Sequence, residues 1–325
     1  ELEVLQPVTF AMIQNQDGEY MMIGRPIDVD ENTPYERYER IFYTDAESLT
    51  GWTTAATGEI DGTIAGSMEA VNSRFQAASY GTGSGWHGPA IKTSLAEVLT
   101  DFRMDTFVAF YNKNVAKQVG RVELYLLDVN GNQVAKVAIK DTQSGRSLGW
   151  GEARAGDSVD NHYLINEYGD KPGNWNDFFG VLRIERVGNR WYAYFAMQDP
   201  ATRRHHTRRS VEWVDTENKY TRTVAQVVVH MGQYGTNEPV VGGVYSISVY
   251  KINPEQSNQV PYIAQAGDII TFDHRINDLL INGESRKDIK DFGATYFKLK
   301  KGENTLIVHP SETFSVTCRY RERFL

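Results

Sequence analysis

Six tryptophans and eighteen tyrosines dominate the chemistry open to this chain. Three stretches place an aromatic ring beside small polar side chains: Tyr80, Trp86 and His87 in SYGTGSGWHGPAIKTSL, Trp150 in SLGWGEARAGD, and Tyr168, Asn174, Trp175 and Asn176 in NEYGDKPGNWND. A flat ring laid on the C–H face of a pyranose, with amides and imidazoles reaching the hydroxyls, is a mixed apolar and polar surface suited to sugars. The same rings have a plainer use, which is packing. Trp86 and Trp175 sit among Gly, Pro and Asn, where either use fits; Trp150, between two glycines, is a binding candidate that leans toward packing. Trp52, Trp191 and Trp213 lie in or beside strand-like runs and read as core residues. His87 has no partner nearby in sequence and reads first as a loop histidine.

Hydrolysis of a glycosidic bond would need two carboxyl groups flanking it, one shielded enough to stay protonated. Glu123, Glu152 and Glu185 are the candidates by strand placement, yet no E-x-D-x-x-E run is present. Nor is there a G-x-S-x-G, a P-loop, an H-E-x-x-H or a G-x-G-x-x-G opening a helix. Asp128-Val129-Asn130-Gly131-Asn132 imitates the start of a calcium loop, but it lacks the closing glutamate and reads as a hairpin turn. The run Arg203-Arg204-His205-His206-Thr207-Arg208-Arg209 reads as a solvated loop, or as a lure for phosphate groups through its guanidinium forks.

The elements that must position these groups are strands. Runs of Val, Ile, Tyr, Phe and Thr broken by Gly, Asn and Asp recur along all 325 residues, and helical periodicity is scarce. Asn130-Gly131 and Gly188-Asn189 mark two hairpins, and only KTSLAEVL and GESRKDIKDF look able to form short helices. A net charge of −8 provides no general field for nucleic acid. The lone cysteine, Cys318, excludes an internal disulfide. No run approaches the roughly 18 apolar residues of a membrane span, so no membrane insertion is expected. The absence of an initiator Met at Glu1 reads as the mark of an excised or processed piece.

Polar, proline-bearing stretches at 31–37 and 253–257 read as linkers. Residues 38–252 between them suffice for one large β-sandwich. Neither flank can bury an apolar face alone. The expectation is therefore a discontinuous domain, 1–30 plus 258–325, carrying 38–252 at a loop tip.

From Ala266 onward the order is strand, turn, strand, loop, then two strands. Asn282-Gly283 forms a turn, Phe297, Leu299, Gly302, Asn304 and Leu306 follow an F-x-L-x-x-G-x-N-x-L step, and Tyr320-Arg321-Glu322-Arg323 closes the chain. This resembles the C-terminal galectin-like domain of siphophage distal tail proteins, and VTFAMIQNQDGEYMMIGRP resembles its other half. YGTGSGWHGPAIK, GRVELYLLD and GEARAGD resemble the carbohydrate-binding insertions of the evolved members. The resemblance implies two β-sandwiches, one galectin-like and one a jelly roll of concanavalin type. It further implies a non-enzymatic component at the distal end of the virion tail that adheres to host surface polysaccharide. Its partners would be the tail tube and a tail-associated lysin or receptor-binding protein. The family's belt domain, which builds a hexameric ring, has no counterpart in this sequence, so a hexamer is expected of the parent protein and a monomer of this chain. No cofactor is required. Sandwich modules of this type often hold a structural calcium near their first and last strands, and Asp45 and Glu47 in YTDAES are the candidate contributors. The alternatives are a purely architectural baseplate module and a polysaccharide-degrading glycosidase.

Overall fold

In the computed structural model, which describes residues 1–112 and 117–321, regular structure is β throughout apart from a 3-10 turn at Lys287–Ile289. The all-β expectation holds. By backbone contacts the chain divides into two compact units. One comprises Glu1–Arg37, Asp199–His205 and Asn253–Leu325; the other comprises Tyr38–Gln198 and His206–Ile252.

The larger unit stacks two sheets. The nine-stranded sheet runs through Asn161–Glu167, Trp150–Gly156, Gln133–Asp141, Gly120–Leu127 and Val224–Tyr234, then Trp86–Gly88 and Thr63–Ile64. Ala90–Leu99 also pairs with Val224–Tyr234 and carries Thr53–Thr54 on its other side. The eight-stranded sheet runs from the edge strand His205–Val214 through Arg190–Gln198, Phe178–Val187, Phe102–Tyr111 and Val241–Ile252 to shorter strands. Alternation decides which residues meet between the layers. Leu124, Leu126, Val137, Ile139 and Val229 of the first sheet pack on Phe102, Met104, Leu182, Ile184 and Phe195 of the second, all buried. Each such side chain contributes about 1.5–3 kcal/mol.

Both glycine-marked hairpins form. Gly131 takes φ +82°, and Asp128 Oδ1 accepts the backbone N–H groups of Asn130 at 2.8 Å and Asn132 at 2.9 Å. That closed turn accounts for the calcium-like spacing. Two local readings are corrected. KTSLAEVL belongs to the strand Ala90–Leu99, because Ala90 to Ser94 pair in register with His230 to Gln226. That pairing outweighs the weak helix propensity of the run. The arginine-rich run is a loop only at Arg203 and Arg204; from His205 it belongs to the edge strand His205–Val214.

The smaller unit pairs a five-stranded with a three-stranded sheet. Leu2 lies between Ile270 and Val316, so strands from both ends of the sequence are neighbours. Leu2, Val4, Ile270 and Leu279 pack on Ala11, Met21 and Ile23. Thr33–Tyr35 pairs in parallel with Gln259–Pro261, bringing order to the 31–37 stretch read as linker. Arg37 and Asn253 clasp each other: Asn253 N–H donates to the Arg37 carbonyl at 3.0 Å, and Arg37 Nη1 donates to the Asn253 carbonyl at 2.7 Å. The final strand is Phe314–Val316. Glu322 and Arg323 of the closing motif lie outside the described residues. Cys318 is exposed.

Candidate functional site

Residues of the nine-stranded sheet that alternate away from the core form a second, outward face. Register arranges them in rows across the strands. One row joins Gly232, Arg121, Lys140 and Trp150; the next joins His230, Glu123, Ala138, Glu152 and Asn166; the third joins Val228, Tyr125, Lys136, Arg154 and Tyr163. An aromatic pair stands at each side. Trp150 meets Tyr168 edge to face with centroids 4.6 Å apart, and its Nε1 donates to Asn166 Oδ1 at 2.7 Å. On the other side Trp86 meets Tyr234 at 5.2 Å, and the Arg121 guanidinium lies 3.8 Å from the Trp86 ring centre. Four inter-strand steps separate the Trp150 and Trp86 strands, a span of about 19 Å at ordinary sheet spacing.

The eight ring and loop residues singled out in the sequence divide sharply. Trp150 and Tyr168 are brought together and stay partly exposed, as does Trp86. Trp175 is a correction: it is 0% exposed, packed on Phe178 and Phe195, and its Nε1 donates to the Thr207 carbonyl at 2.9 Å, so no ring face is free for a ligand. Asn176 is spent on the backbone, accepting from Gly149 N–H at 2.6 Å and donating to the Ser147 carbonyl at 3.1 Å. Asn174 sits in the same turn, its N–H bonded to the Lys171 carbonyl. His87 is buried with Nδ1 2.9 Å from the Gly85 carbonyl, which takes it off the surface. Tyr80 packs on the core, its hydroxyl donating to the Val240 carbonyl at 3.4 Å, and burial pushes its pKa up to about 12. The glycines around Trp86 serve this packing. A Cβ on Gly83 would fall 2.6 Å from the His87 ring, and one on Gly88, at φ +155°, 1.9 Å from the Met231 carbonyl.

Four further residues complete the face. Arg121, Lys140, Asn166 and Tyr234 are all reached by the period-two alternation of RVELYLLD, VAKVAIKD and their neighbours, a signal present in the sequence. Between the aromatic pairs the face is charged and nearly dry. Glu123 lies 2.7 Å from Lys136 and 3.1 Å from Arg121 through Oε1, and its Oε2 takes Tyr125 Oη at 2.6 Å and His230 Nδ1 at 2.8 Å. Burial alone would raise its pKa, but Arg121 and Lys136 outweigh that and hold the carboxyl well below the usual range. Glu152 is likewise held down, burial being overcome by Lys136 and Lys140. Neither is the shielded acid a glycosidase needs. Glu185 lies in the other sheet, opposite Arg103.

Asp45 and Glu47 line an open hollow of about 440 Å³ with Trp52 and Thr93. Glu47 Oε1 accepts from Ser73 Oγ at 3.3 Å, and among the described residues no group of three or more His, Cys, Asp or Glu side chains converges to hold a metal. Two carboxylates alone supply fewer than the six to eight oxygens of a calcium site.

Residues 240–324 match the family described as siphovirus-type tail component, C-terminal domain. The sequence resemblance is borne out over that segment. By structure the chain is similar to the CBM2 module of the evolved Dit of Lactobacillus casei BL23 phage J-1, at 15% identity over 68% of this chain and 99% of that one, with a TM-score of 0.55. It is also similar to the VIP36 exoplasmic/lumenal domain in its Ca2+/Man3GlcNAc-bound form, at 10% identity, 68% and 92% coverage and a TM-score of 0.45. The laminarinase of Rhodothermus marinus matches at 8% identity, 67% and 98% coverage and a TM-score of 0.46. A comparison with curated proteins gives no match. At such identities the likeness to the phage J-1 module concerns the fold.

Proposed function

We propose that this chain is a tail-tip component of a siphophage whose larger unit, Tyr38–Gln198 with His206–Ile252, binds host surface saccharide without cleaving it. The observation that carries the reading is the pair of partly exposed aromatic clusters, Trp150 with Tyr168 and Trp86 with Tyr234, on one sheet face, with Lys140 and Asn166 open to solvent beside Trp150. The tail-component match over residues 240–324 and the fold of the phage J-1 module support the setting. The lowered pKa values of Glu123 and Glu152 favour binding over hydrolysis. The smaller unit would then serve attachment to other tail proteins at the distal end of the virion.

Retention on purified wall polysaccharide tests this directly. Trp150→Ala is expected to cut affinity about three- to tenfold, matching the loss of one stacking contact of about 0.5–1.5 kcal/mol. Unchanged retention for both Trp150→Ala and Trp86→Ala would move the site off this face and leave the architectural reading in its place.

A further inference from the structure

Part of the outward face is covered by the chain itself. The segment Ala55–Ile64 crosses it, with Ala55 and Ile60 buried against Tyr125, Leu127 and Val228. At its centre Asp61 sits on a bend between the short strands Thr53–Thr54 and Thr63–Ile64, with glycines at 58 and 62. Its carboxylate enters a pocket walled wholly by the sheet. Oδ2 lies 2.7 Å from Arg154 Nη1 and 3.0 Å from Lys136 Nζ; Oδ1 accepts from Arg154 Nη2 at 2.9 Å and from Gln133 Nε2 at 3.2 Å. The Asp61 carbonyl accepts from Arg121 Nη2 at 2.8 Å, and its N–H lies 3.1 Å from Tyr125 Oη.

We infer that Asp61 is a tethered stand-in for an acidic group of the ligand, and that the Arg154–Lys136–Gln133 pocket is the subsite for a saccharide carrying a carboxylate or a phosphate. This rests on the saccharide-binding reading above and names the class of saccharide. The two-pronged seat on Arg154 is the geometry by which a guanidinium takes a carboxylate or phosphate. The charges favour an anion where Asp61 now sits. Arg121, Lys136, Lys140 and Arg154 face only Glu123 and Glu152 once Asp61 is set aside, four positive against two negative. The pocket is reachable. The Asp61 side chain keeps 14% of its surface exposed while Lys136 and Arg154 beneath it keep 1% and 3%. Spare donors remain too, since Arg121 Nε and Arg154 Nε are buried without a hydrogen-bond partner among the described residues. Arg154 shares a strand face with Trp150 four residues away, about 13 Å along the strand. A chain of sugars stacked on Trp150 therefore leads to the pocket.

Asp61 competes with such a ligand, so removing its charge frees the site. The test is calorimetric titration of the full chain and of Asp61→Ala with D-glucuronate, inorganic phosphate and D-glucose, with Asp61→Asn as the shape-preserving variant should alanine unfold the chain. At least tenfold tighter anion binding by the variant is expected, with glucose bound equally by both. A response to glucuronate alone assigns a carboxylate ligand, and one to phosphate alone a phosphodiester. Anion affinity unchanged in a folded Asp61 variant overturns the inference and leaves Asp61 a structural ion-pair partner. Amide exchange at residues 59–62 of the unaltered chain supplies an independent reading: glucuronate or phosphate should speed it, and no change again overturns the inference. Wall-polysaccharide retention sensitive to Trp150→Ala but indifferent to Asp61 substitution would defeat this inference alone. Retention indifferent to Trp150 would defeat the saccharide-binding reading instead.

Discussion

Trp150 and Trp175 both lie in glycine-bearing stretches and have opposite fates, and the difference lies in residues distant from Trp175 in sequence. Gly151 has no side chain, and a Cβ there would fall 2.4 Å from the Trp175 ring. That vacancy on a neighbouring strand draws Trp175 inward, and no window around Trp175 reveals it. Trp175→Ala is thus expected to lower unfolding free energy by about 3–5 kcal/mol, read by chemical denaturation, while the folded fraction retains polysaccharide as before. Loss of binding at full stability would restore Trp175 to the site. His230 contributes a pH dependence of definite sign. Burial, reinforced by Arg121 and Lys136 and only partly opposed by Glu123, lowers its pKa from 6.5. Below pH 6.5 the unfolded chain takes up a proton that folded His230 resists, so stability falls on acidification. Glu123, Glu152 and Asp61 have depressed folded values, so their stabilisation is complete above their ordinary range and is lost only as pH falls through those values. His230→Asn, which keeps a donor toward Glu123, should reduce the slope between pH 6.5 and 5 by up to about 1.4 kcal/mol per pH unit and leave the more acid slope unchanged. His162 and His274, also lowered by burial, act in the same direction. An unaltered slope in a denaturation series across pH would remove His230 from this role.

At the scale of elements, period-two alternation and glycine-marked turns carried most of the fold. The hairpins at Asn130-Gly131 and Gly188-Asn189 were legible because backbone twist and positive φ are local requirements. KTSLAEVL was not, because its strand form depends on Val227 to Val229 far along the chain. The arginine run was misread for a related reason: an edge strand bears charge on its open side, and in sequence that looks like a loop. His205–Val214 exposes Arg208 and Arg209, and Arg209 Nε meets Glu167 Oε1 at 2.5 Å, while His162 stacks on Trp213 at 3.7 Å. These contacts tie the edge of one sheet to the edge of the other. Exposed charge there should also discourage strand-to-strand association between molecules. Replacing Arg208 and Arg209 together with Val is expected to raise light scattering on storage at high concentration while changing unfolding free energy by no more than about 1 kcal/mol. A clear solution would show that the edge needs no such guard.

Across the whole molecule, the pairing of distant strands was readable from a simple shortage: neither flank holds enough apolar surface to stand alone. What composition could not indicate is that Asp199–His205 groups with the smaller unit, or that Asp61 caps the outward face of the larger one. Both depend on contacts tens of residues apart. The clasp of Arg37 and Asn253 has a consequence of a different kind. Since Arg37 and Asn253 hold the two ends of the intervening stretch together, another insert with adjacent ends can begin and finish at that pair, provided that the contacts Asp199–His205 makes within the smaller unit, such as His205 N–H to the Gly283 carbonyl, are kept. Loop-closure entropy changes by only about 0.6 kcal/mol for each doubling of the intervening length. Such a doorway lets one small scaffold carry lobes of different sequence while its own strands stay as they are.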